Sequence, residues 1–346
     1  MRSTIYGVGL VIAAAALLIS GCASKGGDTD LSAALPTSVP PGTKLSISVN
    51  TTRVALEASG QLNSLPFTVS DWPVVQAGPD VIQAFRGGAV DIATNAGIPP
   101  IQAHATDVDA KIVGVKVRST PLYKLATAAN SNINSLADLR GKRIGFSPGQ
   151  AQGVIVLRTL QAAGIGLNEV KLVELSSTQF LTALQGRQID VAPLAEPQTT
   201  KYLAQYGSQG ARAVDTPAVD ALTILWAPTK VLEDSSKLAG VAEFVKTWAS
   251  TDIWSWEHPD QWLDAYYVKD QKVSADDGRR ILAATDRPYY PENWDAAIKW
   301  EQDTVDLVTK DGYFGKSFDV AGLFDRRFEH LASAAVPAQY RTQVQS

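Results

Sequence analysis

The 346-residue chain contains a single cysteine, Cys22, and a single methionine, Met1. One thiol excludes an internal disulfide and any zinc site built from several cysteines. The three histidines, His104, His258 and His330, lie far apart and show no metal-ligand spacing. There is no GxGxxG run, no phosphate-loop lysine and no locatable Ser-His-Asp arrangement, so the common nucleotide-binding and hydrolase signatures are missing. A formal net charge of −4 argues against a general nucleic-acid binder, which presents a basic face. What is present is ordinary globular composition, 45% hydrophobic and 19% charged, with length enough for one large core or two smaller ones.

The first residues read as a targeting signal. Arg2 precedes an apolar run, VGLVIAAAALLI at 8–19, that is short for a membrane span and ends in small residues. The following ISGC resembles the bacterial lipoprotein signal, which implies removal of residues 1–21 and lipidation of Cys22. Such a protein is exported and held at the outer face of the cell membrane. Residues 22–43, rich in Gly, Ser, Thr and Pro without apolar periodicity, read as a flexible tether.

Two later segments share one template. VIQAFRGGAVDIAT (81–94) aligns without gaps to FLTALQGRQIDVAP (180–193), matching Ala84 to Ala183, Phe85 to Leu184, Gly87 to Gly186, Asp91 to Asp190 and Ala93 to Ala192. Each copy reads as a helix, a glycine and a short, mostly apolar strand. Pro79 suits the first turn of the first helix and Thr178 an N-cap of the second, while Gly87 and Gly186 suit the left-handed residue after a helix. Two related α/β lobes follow. LSISVN (45–50), KIVGVKV (111–117) and the strand around Ile144 add to them, with Ser135 and Asp138 forming a capping pattern before Gly141. YKLATAA (123–129) and ALTILWA (221–227) stand where the two connections between lobes are expected, and the last third reads as helical.

The order AGPDVIQAFRGGAVDIAT, GIPP, SLADLRGKRIGFSPG and LQGRQIDVAPLAEP resembles the solute-binding proteins of ABC importers for aliphatic sulfonates, taurine and nitrate. The similarity covers residues 44–330, and GIPP is the feature that leans towards the sulfonate branch. The resemblance implies a type II periplasmic-binding-protein-like α/β fold: two lobes joined by two crossing strands, with the ligand cleft between them. The expected lobes are 44–125 with 222–346, and 126–221. It further implies capture of a small organosulfonate by lobe closure and delivery to a permease; nothing in the sequence suggests a cofactor, a metal, a nucleic-acid partner or more than a monomer.

Ligands of open α/β sheets bind beyond the carboxyl ends of strands. That rule selects Asn50, Thr51 and Thr52, then Asn95 and Ala96, with Gln76 and Gly78 ahead of a helix, in the first lobe. In the second it selects Gly149, Gln150, Ala151 and Gln152, where a helix N-terminus offers unpartnered N–H groups, and Ala195 with Glu196. Trp226, after a strand-like run, is a candidate cleft wall or a core aromatic; Arg287, in TDRPYY, is a candidate contact or an inter-lobe ion pair. Trp248, Trp254, Trp256 and Trp262 read as packing residues of the helical tail. Sulfonate binders carry serine-rich turns where this chain has Gln150 and Gln152, and a Trp-Asp-Pro where it has Ala195, Glu196 and Pro197. The amides donate and accept, so a neutral heterocycle such as a pyrimidine remains an alternative ligand, and an enzyme on the same fold a rival function. No histidine or cysteine stands near a cleft loop, which favours binding over catalysis.

Overall fold

A computed structural model describes residues 34–75 and 77–342, so Cys22 and Gln76 lie outside the described residues. Strands β1 (Lys44–Ser48), β2 (Thr68–Asp71), β3 (Ile92–Ala96) and β4 (Ala110–Val117) alternate with helices α1 (Asn50–Ala58), α2 (Gly78–Gly87) and α3 (Ile98–Ala105). Residues 118–122 lead to β5 (Tyr123–Thr127), then β6 (Arg143–Phe146), β7 (Lys171–Glu174), β8 (Val191–Ala195) and β9 (Ala213–Asp215). Among these run α4 (Ala151–Ala162), α5 (Phe180–Gln185) and α6 (Gln198–Tyr206). Residues 216–221 return to β10 (Leu222–Pro228), followed by α7 (Thr229–Leu232), α8 (Ser235–Glu257) and α9 (Pro259–Trp262). A π-helical segment, Leu263–Asp270, then precedes α10 (Ala275–Ala283), α11 (Asp295–Lys310) and α12 (Leu331–Ala334).

The strands make two sheets of five, in the orders β2-β1-β3-β10-β4 and β7-β6-β8-β5-β9. The orders are equivalent, with β1, β2 and β3 answering to β6, β7 and β8. In each sheet one strand is antiparallel to both neighbours: β10 between β3 and β4, and β5 between β8 and β9. Each of these arrives along a connection from the other sheet. This is the two-lobed α/β fold expected, with one refinement. The runs around 123–129 and 221–227 are the exchanged strands themselves, and the connections are the shorter segments 118–122 and 216–221.

The repeat has a physical basis in its aspartates. Asp91 Oδ2 accepts from Ser46 N at 2.9 Å, while Asp91 N donates to Ser46 O at 2.8 Å. Asp190 does the same to Arg143, with 2.8 Å for each bond. A carboxylate just ahead of β3 or β8 thus completes the ladder at the start of its parallel neighbour, where main-chain groups lack strand partners. Cations complete both: Lys237 Nζ lies 2.6 Å from Asp91 Oδ1, and Arg143 Nη2 lies 2.7 Å from Asp190 Oδ1. The Arg143 side chain, bonded to the carboxylate, holds Asp190 below its usual pKa.

Local signals fare unevenly. Ser135 and Asp138 form the expected capping box, over a single 3₁₀ turn, Leu136–Leu139, and Gly141 closes it with φ +74°. The second repeat helix is approached by a 3₁₀ turn boxed by Ser176 and Gln179, so Thr178 is not its cap. The left-handed residues fall one position later than expected, at Gly88 (φ +68°), because α2 runs on through Gly87, and at Arg187 (φ +53°), because the turn after α5 takes its left-handed residue beyond Gly186. Gly186 itself has an ordinary φ of −77°.

A left-handed arginine costs about 1 kcal/mol relative to glycine. Arg187→Gly is therefore expected to raise the melting temperature by about 2 °C, with Arg187→Ala neutral; differential scanning calorimetry checks both.

Candidate functional site

Because β10 runs antiparallel, its beginning lies beside the ends of β3 and β4: Thr223 pairs with Ala96 and Lys116, and Leu222 with Val117. The carboxyl ends of β3 and β4, the first turn of α1 and both crossing segments meet here around a cavity of about 370 Å³. Thr51, Thr52, Asn95 and Ala96 line it, as do Lys116, Arg118, Tyr123, Asp220 and Thr223. Helix α8 adds Trp248 and Asp252, and Trp262 and Tyr266 close the wall.

Donors converge on this space. No side chain caps α1, whose N-cap is Val49, so its first N–H groups remain available where Thr51 and Thr52 line the cavity. Arg118 extends from the end of β4, its main chain tied by Arg118 N to Ala221 O at 2.8 Å and its Nη2 3.4 Å from Thr223 Oγ1. Lys116 is spoken for: its Nζ lies 3.0 Å from Asp252 Oδ1, and Tyr290 donates its hydroxyl to Asp252 Oδ2 at 2.9 Å. The rings of Trp262 and Tyr266 stack with centroids 4.5 Å apart and planes 2° from parallel, supplying a flat apolar wall. Tyr266 sits in the π-helical segment, an irregularity found often at functional sites.

Burial shapes the electrostatics. Asp220 is pushed up to about 6 by burial, against the pull of Arg118 and Arg158. Burial, aided by Asp220, also raises the Tyr123 hydroxyl well above its ordinary range. Beside the cavity the lobes touch through Tyr123, Ala151, Ile155 and Ala218, with Ala96, Leu122 and Ala195 packed against them. Arg158 of α4 reaches across to α11, donating to Thr304 Oγ1 at 2.9 Å and lying 4.0 Å above the Trp300 ring. Next to it Glu301 is buried against Gly97 so closely that a Cβ there would overlap its carboxyl group. Burial, with Asp220 adding, raises Glu301 to about 8, and its Oε2 has no hydrogen-bond partner.

The structure separates the sequence-expected contacts. Thr51, Thr52, Asn95 and Ala96 line the cavity; Ala151 and Ala195 face Ala96 in the adjoining apolar contact. Asn50 turns away: its amide donates to Asp270 and its Oδ1 accepts from Arg53. Gly78 packs against Pro99 within its own lobe, while Gly149, with φ +71°, lies against Gln102 and so allows close approach of the lobes. Gln150 is buried, its Oε1 accepting from Ser177 N at 2.8 Å, which leaves its amide bracing its own lobe. Gln152 is part-buried on α4 and does not line the cavity. Glu196 accepts from Thr200 Oγ1 at 2.7 Å and lies 3.5 Å from Arg280 Nη1, an ion pair between the lobes.

Trp226 is a core residue. It is 0% exposed, meets Phe85 edge-on at 4.6 Å, and donates its indole N–H to Asn95 Oδ1 at 2.9 Å. Its position late in an antiparallel strand carries it away from the cavity. Arg287 donates to Thr342 O at 3.0 Å over the Tyr340 ring, making neither a cavity contact nor an inter-lobe ion pair.

Sequence reasoning missed Lys116, Arg118, Asp220, Thr223 and the ring pair Trp262–Tyr266. The strand-end rule applied to β4 points at Arg118. Thr223 needed the direction of β10, and Trp262 needed the path of the helical tail; neither has a local signal.

The profile of the family described as "NMT1/THI5 like" matches residues 74–260, over half the chain. The chain belongs to the NMT1/THI5-like family. An aliphatic sulfonates-binding protein of Escherichia coli K12 is 29% identical over 142 residues, 41% of this chain and 44% of that protein, so the match spans less than half of that relative. One from Bacillus subtilis 168 is 21% identical over 260 residues, 74% of this chain and 76% of that one. The structure of the alkanesulfonate-binding protein SsuA from Xanthomonas axonopodis pv. citri bound to MOPS superposes with a TM-score of 0.70 at 21% identity, covering 84% of this chain and 99% of that one. At 15% identity the desulfurization enzyme DSZB shares the fold, with a TM-score of 0.53 over 84% of this chain and 99% of its own.

In this NMT1/THI5-like chain Glu301 titrates with a raised native pKa, so the folded state holds a proton that the unfolded chain loses at lower pH. Its stability contribution is full below the unfolded carboxyl value and is lost as pH rises towards about 8. Denaturant titration is expected to show wild type losing stability relative to Glu301→Gln by about 1 kcal/mol per pH unit between pH 5 and 8, then levelling off.

Proposed function

We propose that the protein is the extracytoplasmic solute-binding component of an ABC importer, capturing a small organosulfonate between its lobes and presenting it to a permease. The observation that carries this reading is the convergence of an uncapped helix N-terminus and Arg118 on a cavity walled by stacked aromatic rings. A sulfonate is a weakly basic anion whose three oxygens need donors, and its organic tail needs apolar surface. The α1 N–H groups, Thr52 and Arg118 supply the first; Trp262 and Tyr266 supply the second. Family membership and the sulfonate-binding relatives support the same assignment. Binding, not catalysis, is the role proposed.

Lobe closure belongs to the proposal. The Arg158–Thr304 bond and the Glu196–Arg280 pair join the lobes only when they are together, so a ligand completing the cleft favours that arrangement. Lipidation at Cys22 would keep a monomeric binding protein near its permease; among the described residues no helix is long and apolar enough to cross a membrane. A second reading, a neutral heterocycle such as a pyrimidine, draws on the charge balance of the cavity, where Asp220 and Asp252 accompany Arg118 and Lys116.

A thermal-shift screen of alkyl- and arylsulfonates, taurine, nitrate and pyrimidines tests the assignment. A sulfonate at about a hundred times its Kd stabilises the fold by about 2.7 kcal/mol. Arg118→Met is expected to weaken that ligand by about 10- to 100-fold, while Gln152→Ala leaves it unchanged. Silence from every sulfonate, with a shift from a pyrimidine, overturns the leading assignment.

A further inference from the structure

The crossing segments have a cavity on each side. Arg118 and Leu222 line both, but the second is twice as large, about 740 Å³, and is built from other elements. Its walls come from both lobes: Arg158, Gln161 and Ala162 on α4, and Ala296, Ala297 and Trp300 on α11. Pro217, Ala218 and Val219 of the second crossing form another side. None of the residues selected from strand ends lies in it.

Three arginines, Arg118, Arg158 and Arg341, line this space against one carboxylate, Glu292. Arg341 Nη1 lies 3.7 Å from Glu292 Oε1, a loose pair, and its Nε and Nη2 donate to Val336 O. Arg158 is less well served. Its Nη2 has Thr304, its face covers Trp300, and its Nε is shielded from water without any acceptor. That Nε is closed off from the cavity as well as from water, but the Arg158 charge lines the space with those of Arg118 and Arg341 against Glu292 alone, a setting that suits an anion. Asp220 and Glu301 lie within electrostatic reach of Arg158 without bonding it. The remaining wall is aliphatic and aromatic, and the volume is ample for a ligand of two fused rings.

We infer that this hinge-side cavity is a second ligand site, distinct from the sulfonate cavity, for an aromatic anion of about two rings. The anionic group lies among Arg118, Arg158 and Arg341, and the rings lie against Pro217 and Val219 of the second crossing and the start of α11. An occupant touches both lobes and both crossings, so it favours their present arrangement and couples to capture in the first cavity.

Isothermal titration with 2-naphthoate tests the site on the whole protein. One molecule is expected to bind per chain, with neutral 2-naphthamide at least about tenfold weaker. Ala296→Trp, on the exposed face of α11 at the cavity mouth, is expected to abolish binding. Arg158→Met should weaken it about tenfold or more, and Arg158→Lys less. Trp262→Ala, in the other cavity, should leave it unchanged, so the result does not depend on the sulfonate assignment. No heat with 2-naphthoate, equal binding of the amide, undiminished binding to Ala296→Trp, or loss in Trp262→Ala overturns the inference.

Discussion

Each sheet of this protein is completed by a strand that the chain brings from the other lobe. β10 is hydrogen-bonded on both sides, between β3 and β4, and β5 is held likewise between β8 and β9. Pulling the lobes apart along these strands breaks ladders in both sheets, so rotation about residues 118–122 and 216–221 is the motion left open. Both crossings are themselves pinned. Asp286 accepts from Ser119 N and Thr120 N, each at 3.0 Å, and Thr216 Oγ1 lies 2.6 Å from Thr159 Oγ1 on α4. A site beside such crossings feels any change in lobe angle directly, and both cavities are beside them.

The same geometry explains why ionisable groups are buried between the lobes. Glu301 and Arg158 come from different lobes, and Asp220 comes from the second crossing. Contact between the lobes keeps them from water together, which raises both carboxyls and leaves polar atoms without partners. Gly97 permits this packing, because any side chain there would displace the Glu301 carboxyl. Well-paired apolar residues would make a more stable interface. The polarity instead makes this arrangement sensitive to pH.

The sheets were legible because periodicity, capping and a gap-free repeat are local signals, and Asp91 and Asp190 carry the same main-chain bonds in both copies. The site was legible only in part. Thr51 and Thr52 follow β1 and Asn95 and Ala96 end β3, two parallel strands where the strand-end rule holds. Trp226 lies late in β10, which runs antiparallel to its neighbours, so its end points the other way. The helix opened by Gly149 and Gln150 is a genuine cleft-side N-terminus, but Gln102 of the opposite lobe packs on it and Ser177 takes the Gln150 amide oxygen. Those are contacts between residues distant in sequence. Trp262 and Tyr266 arrive from the helical tail, far along the chain from the strands they face, and periodicity cannot place them.

The central claim is that the anion-holding helix end is that of α1, working with Arg118, and not that of α4. A crystal structure with 1-pentanesulfonate tests it most directly. The account predicts sulfonate oxygens within hydrogen-bonding distance of the first-turn N–H groups of α1 and of the Arg118 guanidinium, with the alkyl chain along Trp262. A sulfonate bound instead at the start of α4, beside Gln152, would contradict it.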